Sequence, residues 1–355
     1  MEGEAMARVR IADVAKAAGV SPATVSLVLN GAESRISDET KERVRRVADE
    51  VGYSPNPIAR SLRTRVTGTV GLVSDRIATT PFAGRMLAGA QEVARENGRL
   101  VILVDTDGHP EIESDAISTL VNHRVDSMVY ASMYHRVLPA PAGLPDGTVF
   151  LDCRPEGGGY PAVVPDDYAG GRAATQELVD AGHRRIAYID DGDTDRPVAA
   201  ELRLRGYLDV LTEAGIEPDP ALHVFAETSA AGGQRAIAEL HALPEEQRPT
   251  GIFAFNDRIA AGVVMWAPRR GIRIPEDLSI VGYDDQQLVA AELDPPLTTV
   301  SLPHAAMGRW AMEVALGLRA ADTASPHLMD CPIVRRASVG PPAHLGSARD
   351  PRVTD

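Results

Sequence analysis

Ser21, Thr24, Ser26 and Asn30 set hydroxyl and amide groups along one short stretch, SPATVSLVLN, just after Gly19-Val20. Such groups suit phosphate oxygens, whose contacts fix the register of a protein on a duplex without reading its bases. The plainer alternative is local. Ser21 before Pro22 starts a helix, because serine accepts from exposed N–H groups while proline has its φ preset and no donor to leave unpaired. Chemistry of other kinds has no constellation to work with. The patterns GxxxxGK[ST], HExxH, GxSxG and CxxC are absent. Cys153 and Cys331 stand far apart, which argues against a disulfide scaffold or a paired-cysteine zinc site. GGGYPA at 157–162 matches the GxGxxA dinucleotide pattern, yet Pro161 and Pro165 flank an apolar run where a helix should begin. His183 in AGHRR sits at a helix end, where it satisfies carbonyls. No catalytic residue, metal or cofactor is expected, and the chain reads as a non-enzyme.

Ile11, Val14, Ala15 and Ala18 fall at i, i+3, i+4 and i+7, so 11–18 is a short helix ended by Gly19. A second helix runs from Pro22 to about Asn30. Ser37 caps a third, with Asp38 and Glu39 in its first turn and Val44, Val47, Ala48 and Val51 on its apolar face, until Gly52 stops it. Three short helices with a glycine-containing turn between the first two describe a helix-turn-helix module over 1–54, although any small three-helix domain shares the pattern. Tyr53-Ser-Pro-Asn-Pro57 breaks the chain, and 58–65 is too short to be helical alone, so 55–66 reads as a hinge.

From residue 67 apolar runs alternate with helical stretches. Strands are expected at 69–73, 100–104, 126–130, 148–152, 162–164, 185–189, 251–255 and 278–283, with helices at about 82–97, 111–123, 168–181, 201–214, 231–243 and 257–270. That rhythm predicts an α/β domain at 67–340, made of two doubly wound parallel-sheet lobes with a cleft at their strand ends. The tail, 341–355, is rich in Pro, Gly and charge, has no heptads and is expected to be disordered.

With 355 residues and 44% hydrophobic composition, the chain exceeds a single core. No signal peptide and no apolar run of about 18 residues is found, so a cytoplasmic protein away from the membrane is expected. The net charge of −14 is unevenly shared. Residues 1–66 hold 11 Lys and Arg against 9 Asp and Glu, a charge of +2, and the remainder holds 25 against 41, a charge of −16. The acidity belongs to the larger part.

IADVAKAAGVSPATVSLVLNG at 11–31, followed by YSPNPIARSL at 53–62, resembles the DNA-binding head and hinge of the lac repressor (LacI/GalR) family. AGHRRIAYI at 181–189, RLRGYLDVLTEAGI at 203–216, FNDRIAAG at 255–262, GIRIPEDLSIVGYDD at 271–285 and LDPPLTTV at 293–300 extend the resemblance over about 10–336. It implies a homodimeric regulator on a pseudo-palindromic double-stranded operator. Its effector domain would be similar to periplasmic sugar-binding proteins, with a small carbohydrate between the lobes.

The resemblance places Pro22, Ala23 and Leu27 at the base-reading positions of the recognition helix. Leu27 stands where the family commonly has Arg, so apolar contact with thymine methyls replaces bidentate reading of guanine. Tyr53 and Asn56 are implied backbone contacts. Leu62 matches the hinge leucine that wedges into the minor groove, with Arg60, Arg63 and Arg65 around it. In the larger domain the resemblance points to Asp75, Phe82, Asp152, Arg203, Asn256 and Asp284, in loops at the carboxyl ends of strands. Asp and Asn suit sugar hydroxyls, Arg203 offers a planar fork, and Phe82 an apolar face. Blander roles exist: an ion pair of Arg203 with Glu201 or Asp209, Asp257 capping the helix after FAFN, and Asp285 at the surface. The alternative function is a cytoplasmic sugar-binding protein without a DNA role.

Overall fold

The computed structural model describes residues 9–29, 36–53, 66–78, 80, 83–192 and 197–342. Asn30, Asn56, Arg60, Leu62, Arg63, Arg65 and Phe82, nearly all of the expected hinge, and 343–355 lie outside them. The chain divides into two compact units, Met1–Gly68 and Thr69–Asp355.

In the first unit Ile11–Ala18 (α1), Pro22–Leu29 (α2) and Asp38–Glu50 (α3) are helical. The Arg10 amide donates to the Asp13 carboxylate at 2.8 Å where α1 begins. It ends at Gly19, whose φ of 66° lies in the left-handed region. The Thr24 amide then donates to Ser21 Oγ at 3.1 Å, restarting the chain as α2. The two helices meet at 102°, within the range of helix-turn-helix motifs. Val14, Ala18, Val25, Val28, Val44 and Val47 close a small core, with Tyr53 packed at its rim.

The second unit holds two six-stranded sheets. In the first, Thr69–Ser74 (β1), Leu100–Asp105 (β2), Ser127–Leu138 (β3), Val149–Pro155 (β4) and Ala162–Pro165 (β5) run parallel in the order β2-β1-β3-β4-β5. In the second, Ile186–Asp191 (β6), His223–Ala226 (β7), Gly251–Ala254 (β8), Ser279–Asp284 (β9) and Thr298–Ser301 (β10) repeat that order as β7-β6-β8-β9-β10. His327–Met329 (β11) adds parallel to β5, and Ile333–Val334 (β12) adds antiparallel to β10. Helices Gly84–Glu96 (α4) and Pro110–Asn122 (α5) serve the first lobe. Asp167–Asp180 (α6), Val198–Glu213 (α7), Ala230–His241 (α8) and Asp257–Trp266 (α9) serve the second. His304–Ala315 (α10) returns to pack on α4.

Each sheet has helices on both faces. Met86 and Val93 of α4 join Met307 and Trp310 of α10 on one side of the first sheet, with Ile117 and Leu120 of α5 on the other. The chain crosses between lobes after β5, after β10 and between β11 and β12. Strands β7, β10, β11 and β12 and helix α10 were not anticipated from the sequence. β3 also runs past its expected end at 130 to Leu138, through a register irregularity between Ala131 and Arg136. GGGYPA leads into β5 and not into a helix, since α6 begins only at Asp167 beyond that strand, so the dinucleotide pattern is a chance match.

Three helix pairs pack through reciprocal glycines. Gly89 lies on Ala305 and Gly308 on Met86, Gly171 on Arg203 and Gly206 on Tyr168, Gly233 on Ile259 and Gly262 on Ala230. At each, an added Cβ would overlap a backbone carbonyl oxygen of the facing helix. Gly308→Ala is therefore expected to force α10 off α4 and cost about 1–3 kcal/mol, as overpacking does. In calorimetry of the full chain, that is a lower unfolding midpoint by about 2–4 °C per kcal/mol. An unchanged midpoint would contradict the close approach.

Candidate functional site

On the head, Val25 and Val28 turn one side of α2 into the core, while Ser21, Pro22, Ala23 and Leu27 are exposed and Thr24 and Ser26 half-buried. Ser21 Oγ lies 2.9 Å from Thr24 Oγ1 as well as capping α2, so part of this hydroxyl chemistry serves the helix start. Tyr53 is half-buried, and its amide donates to the Ala48 carbonyl at 2.8 Å, closing α3.

In the larger unit a cavity of about 20 Å³ lies between the lobes, at the carboxyl ends of the strands. Its centre is Arg203 on α7, which is 4% exposed. Nε donates to the Asp167 carboxylate at 2.9 Å and NH1 donates to the Phe255 carbonyl at 2.8 Å. The guanidinium carbon stands 3.6 Å from the Tyr283 ring centroid and 4.6 Å from that of Phe255. Asp167 also lies 3.1 Å from His135 Nδ1, which comes from β3 of the other lobe. Asp284 Oδ1 is 4.0 Å from Arg203, and Asp284 Oδ2 accepts from Gln286 Nε2 at 2.8 Å. Asn256 Oδ1 caps α9 by accepting from the Ile259 amide at 2.9 Å. Asp152 on β4 and Asp284 both have positive φ, 58° and 106°, a strained backbone that clusters at binding sites.

Burial opposes charge throughout this cavity, and neighbours decide the outcome. It works against Asp167, yet Arg203 and His135 hold that carboxyl below its usual range. Burial likewise works against Arg203, and Asp167 keeps it charged. Burial, with Asp167 adding repulsion, pushes Asp152 well above the ordinary carboxylate value. It lifts Asp284 to about 6 against the pull of Arg203. Burial, with Arg85 next, lowers His304 to about 4.

Two family descriptions match this chain: "Bacterial regulatory proteins, lacI family" over residues 10–56, and "Periplasmic binding protein-like domain" over 175–339. The ribose operon repressor of Haemophilus influenzae is 36% identical over 307 residues, covering 86% of this chain and 90% of that protein. The chain belongs to the lac repressor family. Among solved structures, the lac repressor dimer bound to operator and the anti-inducer ONPF is similar at a TM-score of 0.75 and 25% identity, covering 94% of this chain and 100% of that one. The transcriptional regulator CelR in complex with cellobiose is similar at 0.60 and 29%, covering 93% and 100%. This lac repressor family member is therefore a DNA-binding transcriptional regulator with an effector domain, and a binding protein without a DNA role is set aside.

Of the residues expected from the sequence, Asp152, Arg203, Asn256 and Asp284 line the cavity together. Asp75 does not line it. Its carboxylate accepts from Ser132 Oγ at 3.0 Å and from the Arg76 amide at 2.8 Å, bracing β3. Arg203 pairs with Asp167 and neither Glu201 nor Asp209; Asp209 accepts from Tyr168. Asn256, not Asp257, caps α9. Asp257 is buried and accepts from the Gln286 amide and Thr299 Oγ1, which fixes the turn after Asp284. Asp285 pairs with Arg336. His183 bonds Thr250 and the distant Gly340 carbonyl, tying down the end of the domain.

His135, Asp167 and His304 were missed. A signal existed for Asp167. In PDDYAG one acid suffices to cap α6, and Asp166 does so through the Ala169 amide, leaving the second to turn inward.

Asp167→Asn leaves the Arg203 charge buried without its counter-ion, which costs about 3–5 kcal/mol. Urea unfolding at pH 7 reads this loss, and a change under about 1 kcal/mol would refute it. His304 supplies a pH signature. Because its native value lies below the free value of 6.5, its stability is full above pH 6.5 and lost as pH falls towards about 4, by about 3 kcal/mol in all. His304→Asn should flatten that part of the stability profile; parallel profiles would show that the imidazole is not excluded from water.

Proposed function

We propose that this chain is a repressor that holds a pseudo-palindromic operator as a homodimer, and that a small carbohydrate between the lobes controls its hold. The head would occupy 1–54, the hinge 55–66, the bilobed effector and dimerisation domain 67–340, and a tail the remaining residues. The observation that carries the DNA half is the open face of α2, where Pro22, Ala23 and Leu27 project beside a hydroxyl-rich helix start. Pro22, Ala23 and Leu27 would face base edges, with Leu27 against thymine methyls. Ser21, Thr24, Ser26 and Asn30, with Tyr53 and Asn56, would hold phosphates and fix register. Leu62 would wedge into the minor groove, and Arg60 and Arg63 would meet the charge of the narrowed groove.

For the effector, Asp284 and Asp152 offer groups to hydroxyls, the Asn256 amide nitrogen offers donors beside its capping oxygen, and Arg203 presents the rest of its fork. Phe82 would stack on a sugar ring, and Asp75 would act from behind β3. A cavity of about 20 Å³ has room for about one water, so entry of a sugar requires the lobes to separate about the three crossovers. A ligand that favours one lobe arrangement shifts operator affinity by its differential affinity, without any catalysed reaction. The protein would work in the bacterial cytoplasm, where its operator lies.

Selection of bound duplexes from a random pool at near-physiological salt is expected to yield a palindrome of about 14–20 base pairs with a flexible central pyrimidine–purine step. Failure to recover any motif, with and without sugars added, would refute the operator reading. Leu62→Ala should weaken binding to that palindrome by well over tenfold, while low-salt binding to random duplex stays nearly intact. Anisotropy titrations of both duplexes separate the two, and equal losses would remove the wedge.

A further inference from the structure

We propose that His135 and Asp152 form a paired reader of neutral hydroxyl groups, selecting an uncharged polyol over its phosphorylated or carboxylated counterpart. The inference rests on the cleft being the effector site. His135 is 4% exposed and Asp152 3%. Each leaves one buried polar atom without a hydrogen-bond partner, His135 Nε2 and Asp152 Oδ1. Both residues line the same cavity, from the neighbouring strands β3 and β4. A buried polar atom without a partner costs about 1–3 kcal/mol, so two such atoms on one cavity mark where an entering hydroxyl would be held.

The chemistry of the entrant follows from what holds the two atoms. His135 Nδ1 faces the Asp167 carboxylate, which Arg203 keeps charged. That carboxylate can only accept, so Nδ1 carries the hydrogen, and in the uncharged form of the ring Nε2 offers a lone pair. Nε2 therefore calls for a ligand donor. The irregularity of β3 between Ala131 and Arg136 lies where this ring is aimed, as bulges beside binding sites commonly do. Burial, with Asp167 next, pushes the Asp152 carboxyl well up, favouring its protonated form, which can donate once and accept once. A hydroxyl pair satisfies both atoms. A phosphate or carboxylate oxygen placed between these two residues would meet a lone pair at Nε2, and of the pair only Asp152 could donate to it.

The test uses the full chain and calorimetric titration with ribose, glucose, galactose and cellobiose, alongside ribose 5-phosphate, glucose 6-phosphate and glucuronate. At least one neutral sugar is expected to bind, its anionic counterpart at least about tenfold more weakly. His135→Ala should lower affinity for that sugar by about 10- to 100-fold, while His135→Gln, with an amide oxygen in place of the lost acceptor, recovers part of it. Titrating single-deoxy derivatives into wild type and His135→Ala distinguishes contact from support. One derivative should show its penalty only in the wild type, because the hydroxyl it lacks is the one His135 reads. Asp152→Asn, a neutral amide that tolerates the positive φ, should keep most of the affinity that Asp152→Ala loses. Thermal midpoints of the variants establish that they fold.

Tighter binding of the anionic panel would overturn the proposal while leaving an effector site in place. So would a His135→Ala loss that is the same for the parent sugar and every deoxy derivative. If neither panel binds, the carbohydrate-effector reading fails, and this inference with it.

Discussion

A guanidinium taken out of water sets the terms for the larger domain. Burying the Arg203 charge costs several kcal/mol, and that cost is met only by a close counter-ion with good geometry and further partners. Asp167 supplies the charge, the Phe255 carbonyl a second acceptor, and the faces of Tyr283 and Phe255 a polarisable wall. Asp167 stands where the chain first crosses between lobes, and it also receives His135 from the opposite sheet. One ion pair thus fixes the floor of the cleft and joins both of its walls.

Helix packing makes that geometry reachable. Gly171 of α6 lies against the backbone of Arg203, and Gly206 of α7 lies against Tyr168, so α7 sits close enough for a short reach from Arg203 to Asp167. The other two helix pairs use the same device. Both lobes also share one strand order, which leaves a crevice at the carboxyl ends of the strands where ligands enter open α/β sheets. Among the described residues three crossovers link the lobes covalently, so the state of the cleft and the angle between the lobes are linked quantities.

Much of this was legible in the sequence, for identifiable reasons. Gly19 and the Ser21-Pro22 pair spelled out a stop and a restart, and the structure turns the chain there through 102°. Arg203, Asp152, Asn256 and Asp284 lay at strand ends or in quoted motifs and do meet in the cleft. What stayed hidden depended on long-range geometry. His135 looked like a residue beyond a strand, because β3 continues past an irregularity that breaks the alternation. Asp167 looked like one of two capping acids. Helix α10 has Met307, Trp310 and Ala311 at helical spacing, but its Pro303 start and its return to the first lobe follow from the crossover and not from the local pattern. Asp75 shows that a strand-end acid can also brace the neighbouring strand, through the Ser132 hydroxyl.

If cleft and head are two sites of one switch, as proposed, their ligands are reciprocally linked. Operator affinity is measured with and without a saturating neutral sugar, and the affinity for that sugar is measured with and without operator, all at one salt concentration. The two factors are expected to be equal and to differ from one by about 5- to 150-fold, the usual range of allosteric coupling. A factor of one in both measurements, with both ligands bound tightly, would contradict it.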